Sequence, residues 1–385
     1  MYKGYHTKGD LIKMRYDNIV DRKLLRNIDI GIVVTAIILI IIGIVGIASA
    51  TQVTSGGTPK YITIQGVAFV LGIIAVLLLL LIDYNSFGDM QTAIYIINVL
   101  LLLSVFVLGK EVKGAKSWID LGPINFQPSE LVKIGFILAF AKHLETRKDK
   151  LNSIKNVAIS VLYIIVPIAL IQLQNDTGTM LVFMFISAMM FFAAGINYKY
   201  IIGAVGAFIL SAPLLWFFAL QEYQKKRILV FLNPELDPRG SGYHVIQSKT
   251  AIGSGQFFGE GLFNGTLNNN GFIPERHTDF IFSVLGEELG FVGAVFVVIL
   301  FTILLLRCVY VAKAAKDTYG MLICVGVTAM YLFHVLENIG MTIGIMPVTG
   351  IPLPFVSYGG SSLLTNMLAL GLIINVGMRR QVIRF

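Results

Sequence analysis

The stretch IGIVVTAIILIIIGIVGIA, residues 30–48, contains no charged side chain. A bilayer core of roughly 30 Å takes about 20 helical residues to cross, so this stretch reads as a membrane span. A second such run, GVAFVLGIIAVLLLLLI, follows at 66–82. Working outward through the apolar runs gives about ten spans, near 30–50, 62–82, 90–108, 129–141, 157–173, 178–195, 200–220, 289–309, 320–343 and 360–378. Composition agrees: of 385 residues, 56% are hydrophobic and 14% charged, against about 25% charged in a soluble domain. Alternating strands of about 10 residues, the mark of a membrane barrel, are absent. The expected class is an all-α polytopic membrane protein.

Sidedness follows from the basic residues. If residues 1–28 stay inside, the inner segments carry nineteen of the thirty lysines and arginines and the outer ones ten, with Lys133 inside a span. This asymmetry favours both termini on the cytoplasmic side. The start is too long and polar for a cleaved signal, so residues 1–28 read as a cytoplasmic tail, 29–378 as the membrane domain and 379–385 as a second tail. The net charge of +8 belongs to retained basic loops rather than to nucleic-acid binding. The only cysteines, Cys308 and Cys324, flank one short inner loop, which argues against a disulfide framework.

The outer connection 221–288, between the seventh and eighth spans, is long for a loop, and loops of that length are functional or disordered. Its mixture of aromatics, glycines and balanced charge is not a disordered composition, so it should fold onto the outer mouth of the bundle. Near its end lies GFIPERHTDF (271–280), dense in ionisable groups. A continuous helix from Asp279 to Arg307 would be about 42 Å long, too long for the bilayer core. Its first turns, through Glu287 and Glu288, must then tilt, protrude or line a wet cavity. Asp279 itself has three readings: a helix-start carboxylate, a surface partner of Arg276, or a catalytic base.

Other polar groups fall within the apolar region. Glu130 and Lys133 stand at i,i+3, spaced to pair on one helix face. His334, Glu337 and Asn338 share a face of the ninth span, and Asp176 interrupts the sequence between two short spans. Ionisable groups at membrane depth face an interior cavity or fix helix packing. TGIPLPFVSYGGSS (349–362) reads as a re-entrant or cavity-lining loop, tolerated where protein or water satisfies its backbone. Two motifs fail: GSGQFFGEG (253–261) lacks dinucleotide-binding spacing, and HVLEN (334–338) is not a zinc motif.

Four strings in this order resemble the SEDS family (shape, elongation, division and sporulation), which includes RodA and FtsW. They are GAKSWIDLGPINFQPSELVKI (114–134), GSGYHVIQSKTAIGSGQFFGEGLFNGT (240–266), IPERHTDFIFSVLGEELGFVG (273–293) and NIGMTIGIMPVTGIPLPFVSYGGSS (338–362). TGIPLPF and GYHVIQSKTAIGSG are closer to the RodA branch. The chain departs from that branch at Asn175, where a proline is usual, at Gln256, where a glycine is frequent, and at Leu267, where a glutamine is.

The resemblance implies a peptidoglycan glycosyltransferase of the bacterial cytoplasmic membrane that polymerises lipid II on the outer face. It implies a class B penicillin-binding protein as crosslinking partner, with other elongation or division proteins around it. Asp279 matches the family's essential loop acid, Trp118 its tryptophan after the third span, and Glu130 with Lys133 its acid–lysine pair. Substrate contacts are expected from Gln247, Ser248 and Lys249 in one string, and from Glu275, Arg276, His277 and Thr278 beside the acid. Ser357 and Tyr358 would border the lipid's entry.

The chemistry suits a single base. A sugar hydroxyl attacks an anomeric carbon that already carries a good diphosphate leaving group. Inversion from an α-linked diphosphate to a β-linked glycan fits one direct displacement, unlike hydrolysis with two opposed carboxylates. The diphosphate needs cations. Arg227 and Lys249 are the preferred clamp, Lys225, Lys226, Lys113 and Lys116 are further candidates, and a divalent magnesium or manganese ion is a candidate to share the role. Trp118 either stacks on a sugar or sits in the interfacial aromatic belt. The alternatives are a lipid II flippase, a scaffold that recruits a synthase, and a division- or sporulation-specific member of the same family.

Overall fold

The computed structural model describes residues 24, 26–52, 57–112, 115–120, 125–238 and 240–380; most of the two expected tails, and Lys113, lie outside them. The helices are α1 (Ile30–Thr51), α2 (Gly57–Leu81), the short α3 (Tyr84–Asp89), α4 (Gln91–Leu108), α5 (Pro128–Glu145), α6 (Ile154–Leu173), α7 (Thr177–Ala193), α8 (Tyr198–Leu214), α9 (Glu222–Leu232), α10 (Ser241–Ser254), α11 (Thr266–Asn269), α12 (Ile281–Lys313), α13 (Thr318–Thr342) and α14 (Gly360–Met378). Seven of these are long and apolar enough to cross a membrane, and α7 and α8 are shorter apolar helices. With α5, whose charged residues lower its hydropathy, they match the ten expected spans. The protein is a multi-pass membrane protein.

Apolar surface is distributed as a bilayer requires. Helices α13 and α14 are the most buried and form the centre, packed by α12, α5 and α7 on one and by α2 on the other. Helices α2, α4 and α8 turn large apolar side chains outward, Leu210 being 81% exposed. Because lipid supplies no hydrogen bonds, each break in a helix has to be satisfied by protein.

Two features depart from the sequence reading. A three-stranded antiparallel sheet, β1 (Lys110–Val112), β2 (Ala115–Asp120) and β3 (Asn125–Phe126), occupies the connection between α4 and α5, so the all-α class carries one small sheet. And α12 is not continuous: Gly290, at φ 67° and ψ −168°, divides it. The downstream part, 291–313, is about 34 Å long at 1.5 Å per residue, close to one bilayer core. The upstream turns, 281–289, form a separate short helix. Glu287 and Glu288 are consequently not in a wet cavity; both are buried. Glu287 accepts from the amides of Leu267 (2.6 Å) and Asn268 (3.1 Å). Glu288 accepts from the Ser49 hydroxyl, from Asn268 Nδ2 (3.1 Å) and from the Phe263 amide (3.1 Å). The two acids fasten the 260–269 loop to the bundle.

The break is capped on both sides by the glycine-rich loop. The Glu260 and Gly261 amides donate to the carbonyls of Glu287 and Glu288 (3.0 Å each), which end the upstream helix. The Gln256 and Phe257 carbonyls accept from the Phe291 and Val292 amides (2.8 and 3.1 Å), which begin the downstream one. These are the groups a helix terminus leaves unpaired. Such backbone-on-backbone contact requires glycine: at Gly259 (φ 80°) an added Cβ would lie 2.1 Å from the Glu288 carbonyl oxygen.

Within segment 221–288, α10 packs against α12 and α13. Cys308 and Cys324 are free and buried.

Candidate active site

The polar constellation gathers at one end of the bundle, where α1, α4, α6 and α13 finish and α2, α5, α7, α12 and α14 begin. The loop 349–359 enters it. An added Cβ on Gly43 of α1 would meet Phe355 O and Val356 Cα at 2.7 Å. Gly43 lies eight residues before the end of α1, about 12 Å along the helix at 1.5 Å per residue. The loop is therefore re-entrant, and Ile351, Leu353, Phe355 and Val356 are buried.

That loop clamps the PERHTDF stretch by its main chain. The Tyr358 amide donates to the His277 carbonyl (2.9 Å). The Ser357 hydroxyl donates to the Thr278 carbonyl (2.7 Å) and accepts from the Leu353 amide (2.8 Å). Asn338 Nδ2 of α13 donates to both the Asp279 carbonyl (2.9 Å) and the Ile351 carbonyl (2.8 Å). Three consecutive carbonyls are thus held. The half-buried Asp279 side chain faces Gly350, where an added Cβ would stand 3.4 Å from Oδ2. The helix cap is Phe280, without a side-chain bond, so the helix-start reading of Asp279 is displaced by one residue.

Around it the chain bends sharply. Glu275 has a left-handed φ of 45°, rare for a residue with a side chain and concentrated at functional sites; its carbonyl accepts from the Thr278 and Phe280 amides (3.1 and 3.2 Å). Thr278 Oγ1 also donates to Glu275 Oε2 (3.3 Å). Arg276 Nη1 donates to the Asn268 carbonyl (2.6 Å), tying the stretch to the Glu287–Glu288 network. The His277 ring packs with Tyr61 (4.8 Å) and Tyr358 (5.6 Å).

Other expected residues divide into those nearby and those used structurally. Lys249 is exposed and runs across Gly344, beside Val245; Arg227, over the Tyr223 ring, lines a crevice with Val245, Met346 and Val348. Both cations therefore flank one segment, 344–348. Gln247 is half-buried on the same α10. Ser248 is different: fully buried, it bonds Ser283 Oγ (2.6 Å) and donates to the Thr342 carbonyl (2.6 Å), joining three helices. Lys225 pairs with Glu222 and Lys226 with Asp237, each at 3.0 Å. Lys226 holds the Asp237 carboxyl below the usual carboxylate range.

Trp118 and Lys116 sit on β2, which lies over the α6–α7 turn through the Lys116 amide and Gln174 carbonyl (3.0 Å). Lys116 Nζ caps the Phe106 carbonyl of α4 (2.8 Å). Asp176 caps α7 through the Thr179 amide (3.0 Å) and accepts from Gln127 (3.0 Å). The preceding Asn175 has φ 61°, a value closed to the proline of the family pattern. Gln256, where a glycine is frequent, is likewise left-handed at φ 48°. Deeper in the bundle, Lys133 Nζ donates to Glu130 Oε1 (2.8 Å) and meets His334 Nε2 (3.2 Å), while His334 Nδ1 reaches the Pro352 carbonyl (3.3 Å). Glu337 accepts from Thr349 (2.8 Å). The expected i,i+3 pair is present, and it braces the re-entrant loop.

Sequence reading missed Gln65 and Tyr61. Gln65 Nε2 donates to the Ser357 carbonyl (3.3 Å) and its Oε1 accepts from the Gly359 amide (3.1 Å). The signal was an isolated amide in an apolar span.

Asn338→Leu keeps volume but strips both carbonyls of their donor. Leaving a buried polar group unpaired costs about 1–3 kcal/mol, so a clear fall in the thermal midpoint is expected, together with loss of activity. A midpoint equal to wild type would show that the clamp contributes nothing.

A helical bundle with a re-entrant loop and a clamped acid at one mouth defines a polytopic membrane protein with its candidate site at one end of the bundle. The cell cycle protein family of FtsW, RodA and SpoVE matches residues 30–382, and the chain belongs to that family. Among its relatives, the peptidoglycan glycosyltransferase MrdB of Escherichia coli K12 is 41% identical over 290 residues, 75% of this chain and 78% of the relative. The peptidoglycan glycosyltransferase RodA of Treponema pallidum is 35% identical, over 81% and 88%. Among solved structures, a chain of a peptidoglycan synthase complex, described for its structural coordination of polymerization and crosslinking, superposes with TM-score 0.80 at 35% identity over 91% of this chain and 97% of that one. The rod-shape-determining RodA of Thermus thermophilus gives 0.69 at 30% identity, over 92% and 97%.

Proposed function

We propose that this glycosyltransferase polymerises lipid II into glycan strands at the outer face of the cytoplasmic membrane, for cell-wall elongation, with Asp279 as the general base. The observation that carries the reading is the clamp: three successive carbonyls, 277–279, are hydrogen-bonded to one re-entrant loop and to Asn338. Main-chain hydrogen bonds of this kind position the carboxylate, and positioning is what base catalysis demands. The excess of lysine and arginine toward the opposite end of the bundle supports cytoplasmic termini and so an outward-facing site.

In this mechanism the Asp279 carboxylate takes the proton from the acceptor sugar's hydroxyl as its oxygen attacks the anomeric carbon. The bond to the lipid diphosphate breaks on the opposite side. Arg227 and Lys249, flanking 344–348, stabilise the departing charge. Trp118, on the neighbouring sheet, contacts the acceptor strand. Among the described residues no three histidine, cysteine, aspartate or glutamate side chains converge as a metal-ligand set, so a magnesium or manganese ion sharing that charge would be held chiefly by the diphosphate oxygens. A class B penicillin-binding protein is the proposed crosslinking partner.

The polar face of α13, with His334, Glu337 and Asn338, is what favours lipid flipping. Its residues are at most 5% exposed and bond Lys133, Thr349 and the Ile351 carbonyl, which supports a brace over a polar path. The deciding experiment is lipid II polymerisation by wild type and Asp279→Asn, each with the partner synthase.

A further inference from the structure

We infer that the glycine-locked loop 256–263 is an interfacial membrane anchor that inserts Phe257 and Phe258 into the lipid of the leaflet on the active-site side. Phe258 is 84% exposed and Phe257 67%, on a loop whose backbone is bonded to both sides of the α12 break. Contiguous exposed apolar side chains on a fixed support mark an interaction surface. The loop cannot withdraw them, since Gly259 and Gly290 bring the two backbones into direct contact.

The depth of these rings is set by α12. Its downstream part is about 34 Å long and spans the hydrocarbon, so Phe291 and Val292, at its first turn, lie at the hydrocarbon boundary. Both are more than half exposed and belong to the lipid-facing band that continues down the helix through Phe296. The Phe257 ring meets the Phe291 ring edge-on at 5.9 Å. The loop's aromatic surface is therefore continuous with the lipid-facing band, at interfacial level, where aromatic rings are favoured. The loop carries a single charge: between 255 and 265 its one ionisable residue is Glu260, whose carboxylate is turned back onto the Thr266 amide and hydroxyl at 2.7 Å each. Lipid is the occupant this chemistry fits. The anchor stands apart from the chemistry of Asp279; its effect is to fix the depth of the 281–289 helix, which packs beside Gly46 of α1, relative to the bilayer.

The test is spin labelling of the full chain in phospholipid nanodiscs. The two native cysteines are fully buried, so Phe258→Cys and, separately, Phe257→Cys take a nitroxide at one site. Asp149→Cys, on the exposed charged turn Lys148–Lys150, is the water reference. Collision with molecular oxygen should exceed collision with a water-soluble nickel chelate several-fold at 257 and 258, and the order should reverse at 149. Nickel collision at 258 equal to that at 149 would place the loop in water and overturn the anchor. Shielding from both reagents would mean that protein covers the loop, and would overturn it equally.

Discussion

Asp279→Asn is expected to lower glycan polymerisation by roughly 10²–10⁴-fold, the usual contribution of a positioned base, while the protein folds and binds lipid as wild type does. The expectation rests on where the residue is held. The bond from Asn338 goes to the Asp279 main-chain carbonyl, which asparagine retains, and the side chain faces the open position at Gly350, which an amide of the same shape does not fill. The substitution removes the proton acceptor and keeps the shape of the side chain. A variant that makes strands of wild-type length and yield would remove Asp279 from the chemistry and return the site to the scaffold reading. A variant that no longer runs as a monodisperse peak would show that the carboxylate supports the fold instead. The polymerisation assay and the elution profile together separate the two.

Gly290→Ala should have the largest effect on stability. Its backbone, at φ 67° and ψ −168°, lies in a region open only to glycine. A Cβ there would stand 2.3 Å from the Gly259 nitrogen and 2.7 Å from the Phe257 carbonyl carbon and oxygen. These are backbone atoms, and they cannot rotate aside. Relief requires the loop to lift from the break, which leaves the amides of Phe291 and Val292 and the carbonyls of Glu287 and Glu288 unpaired near the apolar boundary. The combined cost exceeds about 4 kcal/mol, a magnitude reached only by such mechanisms. Fluorescence-detected size exclusion after heating should show loss of the folded peak at temperatures the wild type survives. Gly66→Ala is the control: its added Cβ meets nothing within 4 Å, and its midpoint should not move. Equal midpoints for the two variants would refute the break as a packing requirement.

The two variants test separate links. Gly290 holds the short 281–289 helix at an angle its span does not share, and Asp279 precedes that helix by two residues. A membrane-crossing helix is tilted by its packing against its neighbours and by its interfacial anchors. The helix that follows the acid is held by Glu287, Glu288 and the loop they fasten. That loop also bonds Phe291 and Val292, so the break lets the two parts differ in direction while keeping them joined.

What the sequence determined by itself was the number and place of the spans, because a charge-free run of about 20 residues has few other fates in a chain this apolar. It also determined which residues would be polar at depth: Glu130 and Lys133 had to meet once α5 was a helix, since i and i+3 share a face. Local propensity could not reveal the break in α12. Gly290 sits in an unremarkable EELGFVG, and only the loop at 256–261, some thirty residues away, makes a left-handed turn there satisfiable. Likewise Ser248 reads as a substrate contact until α12 and α13 enclose it, and Gln65 reads as an accident of α2 until the re-entrant loop arrives beside it. Tertiary structure decided these because hydrogen bonds between distant backbone groups leave no periodic trace in sequence, whereas the hydrophobic length that crosses a bilayer is written in consecutive residues.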